Sequence, residues 1–278
     1  MLLLSIFTSC KTNNEKIIFS SSRNGNSDIF IMDKDGKNQN ALTENKSEEW
    51  GPTWINENEI SFLRQSQDSI FRIQLNIKTK EESRLKHPTN CILDDKNILY
   101  SPLNQYQLYS CKNDIFLLNP KNSELKNITE NINGKARYPS WSNDGKSVIY
   151  TSNHLGTNEV FLYEIDTEKI VQLTDSDSNN ERGELSTDRK FLTYSSDYFE
   201  KGNQEILIKD LESGKIENIS KSSGMELISR FSKDGKSLFY GTNKDGNWDI
   251  YSYDLKTENK TRLTNNKEFD GDPRILKK

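Results

Sequence analysis

Apolar and polar residues alternate with a period of two in four short runs between Tyr138 and Thr174. Residues 139–142 form the first run, strand A. SNDGK (142–146) turns the chain into SVIYT (147–151), strand B. A polar loop, SNHLGTN, leads to EVFLYEI (159–165), strand C, and residues 166–169 turn into IVQLT (170–174), strand D. A period of two is that of a half-buried strand, and Asp-Gly or Asn/Gly-rich turns are hairpin signals. One such sheet leaves faces and edges uncovered, so it needs neighbours.

The pattern recurs. The ends of strand D align at Thr43, Lys86, Thr129, Thr174, Ser220 and Thr264, in steps of 43, 43, 45, 46 and 44 residues. Strand B ends follow as KIIFS, EISFL, NILYS, SVIYT, FLTYS and SLFYG. An acid stands at or just before strand C as Asp28, Asp68, Asp114, Glu159, Glu205 and Asp249. Four strands per step of this length predict propeller blades, so the fold class is all-β, a six-bladed β-propeller of four-stranded blades. The first copy begins at strand B (16–20) with no strand A before it, while residues 270–276 follow the last strand D. That C-terminal strand is expected to complete the first blade and close the ring.

Composition keeps this to one domain. The repeats fill residues 16–278 of a 278-residue chain. Hydrophobic residues make up only 32%, with a mean hydropathy of -0.86, which thin sheets with polar turns tolerate and which disorder would not reconcile with ordered alternation. A formal net charge of -4 gives no electrostatic reason to expect nucleic acid.

Residues 1–15 read as a lipoprotein signal and short tether. MLLLSIFTSC resembles the end of a bacterial lipoprotein signal, with Cys10 the residue to be lipidated after Phe7-Thr8-Ser9. The apolar run is short and lacks a preceding Lys or Arg, and it is far too short to span a bilayer. A cytoplasmic chain with an apolar N-terminus is the alternative, and a start lying upstream would supply the missing parts. Cys91 and Cys111 remain. In an exported protein they could pair, clipping the loop after ILYS to strand A, or stand as two half-buried thiols.

PSWSNDGKSVIYTS, followed by an N-x-E/D strand and LT, resembles the propeller repeat of the TolB family, and related repeats occur in tricorn-type and prolyl-oligopeptidase-type propellers. The likeness spans residues 16–278, is sharpest at 141–151 and 231–241, and is degraded in the second and third copies. Gly145 and Gly235 are expected at left-handed turn positions. TolB proteins carry a separate α/β domain before the propeller; here Cys10 is followed almost at once by the first blade, which puts a Tol-Pal role in doubt. The peptidases carry a hydrolase domain with a G-x-S-x-G elbow, a motif absent from this chain.

The catalytic inventory is sparse. His87 and His154 are the two histidines, expected in a D-to-A connection and a B-to-C loop of the same face; a metal or acid-base site and two exposed loop residues are the alternatives. No catalytic residues and no metal ligands are assigned. Three residues before strand A the repeats show Glu49, Lys86, Ala136, Asn180, Glu226 and Asp270. Three acids in six would line the channel mouth, where they would take a cation such as Ca²⁺ or a basic peptide, or serve as solvated turn acids.

The D-to-A and B-to-C loops vary in length and chemistry, and variable loops on a rigid scaffold carry binding. The candidate site is therefore this loop face: Glu49, Trp50, Arg137, Tyr138, Arg182, Glu226, Trp248 and Asp270, with aromatic and Arg anchors. Trp50 and Trp248 serve binding or packing; Trp54 and Trp141 lie within strand A as packing residues. The leading expectation is a non-enzymatic, monomeric envelope protein, periplasmic and lipid-anchored at Cys10 to the outer membrane, binding a protein or peptide. The alternative is a carbohydrate-active hydrolase or lyase using Glu49, Glu226 or Asp270.

Overall fold

A computed structural model describes residues 15–88, 91 and 97–277. Cys10 and the rest of the expected signal and tether up to Asn14 lie outside the described residues. Blade 1 holds β1 (Lys16–Ser21), β2 (Asp28–Asp33) and β3 (Asn40–Ala41). Blade 2 holds β4 (Glu49–Asn56), β5 (Glu59–Ser66), β6 (Ser69–Asn76) and β7 (Glu82–Leu85). Blade 3 holds β8 (Leu99–Tyr100), β9 (Gln107–Cys111), β10 (Asp114–Asn119) and β11 (Glu124–Asn127). Blade 4 holds β12 (Ala136–Trp141), β13 (Ser147–Ser152), β14 (Glu159–Glu164) and β15 (Ile170–Gln172). Blade 5 holds β16 (Asn180–Leu185), β17 (Phe191–Ser196), β18 (Glu205–Asp210) and β19 (Ile216–Asn218). Blade 6 holds β20 (Glu226–Phe231), β21 (Ser237–Thr242), β22 (Asp249–Asp254) and β23 (Lys260–Arg262). The last strand, β24 (Asp270–Ile275), pairs antiparallel with β1 and becomes the innermost strand of blade 1. Closure thus joins the two ends of the chain by hydrogen bonds, as expected.

Blades adhere through apolar side chains of their middle strands. Each middle hairpin sets an aromatic on its second strand, and in four blades an aromatic faces it across the pair: Phe19 and Phe30, Tyr109 and Phe116, Tyr150 and Phe161, Tyr240 and Tyr251. Such cross-strand pairs stabilise a sheet and fill the gap to the next one. A second repeated device secures the outer strands. The hydroxyls of Thr43, Thr129, Thr174, Ser220 and Thr264 accept the N–H of Ile29, Ile115, Val160, Ile206 and Ile250 at 3.0, 3.0, 2.8, 2.9 and 2.9 Å. Thr129, Thr174 and Thr264 also donate to Asp114, Glu159 and Asp249. The recurrent acid before the third strand is therefore part of a structural clamp. Gly145 and Gly235 sit at φ 69° and 68°, the left-handed turn positions expected of them.

Two expectations are corrected. ILYS of the third repeat was assigned to strand B, but Leu99–Tyr100 forms the innermost strand and Gln107–Cys111 the second. β9 pairs on both sides and carries Tyr109 at the aromatic position, which ILYS cannot fill while holding β8's place. The innermost strand of blade 4 begins at Ala136, three residues earlier than position 139. The same holds around the ring: Glu49, Ala136, Asn180, Glu226 and Asp270 are the first residues of inner strands rather than residues ahead of them.

Cys91 and Cys111 are joined in a disulfide with Cα atoms 5.9 Å apart. It ties the connection ahead of β8 to the end of β9, in the blade whose inner strand is shortest, and packs against Leu63, Ile98 and Tyr109.

Candidate functional site

Inner strands run from the loop face, where the D-to-A and B-to-C loops lie, to the turn face. Their first residues do not meet solvent. Glu49, Glu226 and Asp270 are fully buried. Arg23 spans both Asp270 oxygens at 2.9 and 2.8 Å. Arg64 and Asn45 hold Glu49. Ser222 donates to Glu226, as does Thr242 at 2.6 Å. Burial raises the Glu226 carboxyl above the usual carboxylate range, against the lowering by those two hydroxyls. These acids fasten the loop end of their own blades and offer no open funnel of carboxylates for a cation, a basic peptide or glycoside chemistry.

Every inner strand except β8 then bulges. Register breaks occur at 137/140, 181/184, 227/230, 50/53 and in the pairing of β24. The third residue takes a left-handed conformation: Gly51, Tyr138, Arg182, Ile228 and Asp272, with φ between 52° and 61°. For the β-branched Ile228 this is a strained backbone. The bulge turns the strand so that its third and fifth residues line the channel. The fifth residues are Thr53, Ser140, Glu184, Arg230 and Arg274, and all five border a cavity of about 390 Å³ at the turn-face end.

Of the sequence-nominated anchors, the structure brings together Arg137, Tyr138 and Arg182. The Arg182 guanidinium lies 3.9 Å from the centre of the Tyr138 ring, a cation–π contact, and pairs with Glu181. Glu181 accepts from Asn158 at 2.8 Å. Arg137 is exposed and bonds Asn113 at 3.0 Å. Arg137, Tyr138, Asn158 and Glu181, with Lys135, Thr151 and Asn153, surround a polar pocket of about 170 Å³ at the loop face, which Arg182 does not border. Trp50 stands apart, half-buried on the Leu63 and Tyr109 cluster, and Trp248 lies with its indole beside Gly241.

His87 donates its Nε2–H to the Ile70 carbonyl at 2.8 Å. His154 packs on Phe161 and meets the Ser152 hydroxyl; burial pulls its imidazole pKa down. Among the described residues no group of three or more His, Cys, Asp or Glu is arranged to hold a metal ion.

A family profile described as TolB beta propeller domain matches residues 184–277. The profile thus covers the last third of the chain, which is similar there to TolB propeller repeats. Similar curated proteins are the Tol-Pal system protein TolB of Desulfotalea psychrophila, 30% identical over 105 residues, 37% of this chain and 24% of that protein, and its counterpart in Francisella tularensis subsp. tularensis, 34% identical over 84 residues, 30% and 19% of the two. The matches thus span about a quarter or less of the length of those relatives. Among solved structures, TolB from Acinetobacter baumannii superposes with a TM-score of 0.78 at 18% identity, over 94% of this chain and 66% of that one. A chain of a nidogen/laminin complex superposes at 0.70 and 10% identity, over 94% and 98%. Oligogalacturonate lyase with manganese does so at 0.57 and 12%, over 88% and 87%. At such identities the likeness is one of fold, which by itself assigns no activity.

The sequence reading missed two features of this propeller. One is the channel ring, legible by counting four residues on from the aligned positions at 49, 136, 180, 226 and 270. The other is apolar: Leu155, Tyr198, Phe199, Met225 and Phe269 are exposed, and all five lie in B-to-C loops or D-to-A connections, hence on the loop face.

Proposed function

We propose that this propeller is a non-enzymatic protein of the cell envelope that binds a protein or peptide partner through its loop face, held to the outer membrane by lipid on Cys10. The observation that carries the reading is the set of five exposed apolar side chains on one face, beside the polar pocket around Arg137 and Tyr138. Aromatic and aliphatic anchors next to Arg are the composition of a binding surface. The Cys91–Cys111 disulfide fits an oxidising compartment, and similarity to Tol-Pal system proteins favours the envelope. The carbohydrate-active alternative loses ground because Glu49, Glu226 and Asp270 are withdrawn from solvent.

The test is a crosslinking pull-down of the full chain from envelope extract, with mass spectrometry of partners and of the N-terminal peptide. A partner retained by the wild type and lost with Phe199→Ser and Arg137→Ala, together with acylated Cys10, is the expected result. Equal recovery by wild type and both variants would remove the loop face from the account.

A further inference from the structure

The channel carries a second chemistry, inward of the loop-face pocket, with which it shares Tyr138. Arg182, Arg230 and Arg274, from blades 5, 6 and 1, converge with Tyr138 and Ile228 on a small chamber of about 30 Å³ that no carboxylate borders. The chamber adjoins the 390 Å³ cavity that opens on the turn face between Trp54, Pro102 and Trp141, and Arg230 and Arg274 border both. A ligand can thus present one group to the arginines while its remainder occupies the wider mouth.

The acids nearby leave this cluster under-neutralised. Glu184 is shared by two cations, Lys277 at 3.1 Å and Arg230 at 3.5 Å, and also accepts the Phe231 N–H at 3.0 Å. Asp272 pairs with Arg274 at 3.1 Å, and Glu181 with Arg182. Four cations therefore face three carboxylates. Donors are in excess too, since each guanidinium carries five N–H groups. The Nε atoms of Arg182 and Arg274 are buried without a hydrogen-bond partner, and Arg230 itself is only 7% exposed. Buried polar groups are ordinarily satisfied, so unpaired donors on side chains that border a cavity mark a place for an acceptor. Consistent with surplus positive charge, burial and the neighbouring Arg274 push the Arg230 guanidinium down to about 10 and burial lowers Lys277.

We propose that the propeller channel is a carboxylate-binding site, in which a carboxylate admitted through the turn-face mouth is gripped by Arg182, Arg230 and Arg274. Planar guanidinium forks match a carboxylate's two oxygens, and the narrow chamber suits a flat two-oxygen group. The carboxylate comes either from a small dicarboxylic acid or from an acidic peptide end. This goes beyond the loop-face reading and uses none of its apolar residues.

The experiment is thermal unfolding of the full chain with increasing succinate against sodium chloride at equal ionic strength, with fluorescence polarisation of a labelled peptide ending in Glu and of its amidated Gln counterpart. Succinate or the Glu peptide is expected to bind, with a midpoint that rises with succinate concentration. Arg274→Gln weakens that binding by about tenfold or more, and Arg274→Lys, which keeps charge without the fork, falls between. Arg182→Gln is the second variant if Arg274→Gln fails to fold. Protection by succinate identifies a free small acid; binding of the Glu peptide alone identifies a peptide end. Phe199→Ser retains succinate or peptide binding at the channel, which separates this site from the loop face. No preference for succinate over chloride and for Glu over Gln peptide, equal protection by phosphate, or unchanged binding in both arginine variants would overturn the proposal.

Discussion

Glu226 and Arg230 stand four residues apart on β20, both buried, yet they are partnered in different ways. Glu226 receives hydrogen bonds from Ser222 and Thr242 inside one blade, where short local loops deliver both hydroxyls. Arg230 reaches the shared carboxylate of Glu184 on the neighbouring blade and its own Ser229 carbonyl, and its remaining edge borders the channel. Charge at the start of an inner strand is held by short loops of its own blade, with one oxygen of Glu226 left unpaired and closed off from solvent. Charge past the bulge is shared between blades and borders the channel. The difference teaches that neither burial nor complete partnering sorts structural from functional charge; contact with a cavity does.

The largest test of that contrast is Arg23→Ala. It leaves the fully buried Asp270 without its guanidinium, and breaking one side of a buried pair costs about 3–5 kcal/mol. The midpoint should fall by roughly 10 °C in a domain of this size, measured by circular dichroism. A fall under about 1 kcal/mol would make Asp270 a spare carboxylate and return it to the list of ligand groups. Next is Thr174→Val, isosteric but without the hydroxyl that serves both the Val160 N–H and Glu159. Its expected cost is about 1–3 kcal/mol by urea unfolding, and a neutral result would dismantle the clamp.

A smaller effect is a matter of sign. The Glu226 carboxyl is raised, chiefly by burial. A raised folded-state value means stability is fully present below the unfolded carboxylate value and is lost as pH rises through the folded one. Glu226→Gln, which has no charge to bury, should therefore gain on the wild type between mildly acidic and neutral pH. A stability difference that stays flat over that range in paired melts would contradict the assigned burial. Smallest is Arg137→Ala, whose exposed side chain bonds only Asn113 among its described side-chain contacts; its stability should stay within about 0.5 kcal/mol of wild type. A larger loss would make Arg137 a strut rather than a free anchor.

Much of the architecture was legible in the chain. The D-strand Thr and Ser residues, the acids before the third strands and the Asp-Gly turns repeat because each solves the same local problem in every blade, so their spacing reports the fold directly. Blade 3 was misregistered because ILYS and QLYSC both alternate, and only pairing distinguishes the strand that bonds on two sides from the one that bonds on one. The candidate site was legible in part. Arg137, Tyr138 and Arg182 do gather, while Glu49, Glu226 and Asp270 are drawn inward by Arg64, by Ser222 with Thr242, and by Arg23, partners that lie 15, 4 with 16, and 247 residues away.

By itself the sequence determined the six blades, their order and the closing strand, because strand alternation and turn chemistry are local and are repeated often enough to reinforce one another. Only the tertiary structure decided which charges face the channel. That depends on a one-residue bulge in each long inner strand, which leaves no mark in hydrophobic alternation yet redirects every side chain after it. It also depends on ring closure, which sets Arg274 from the end of the chain beside Arg230 and Arg182.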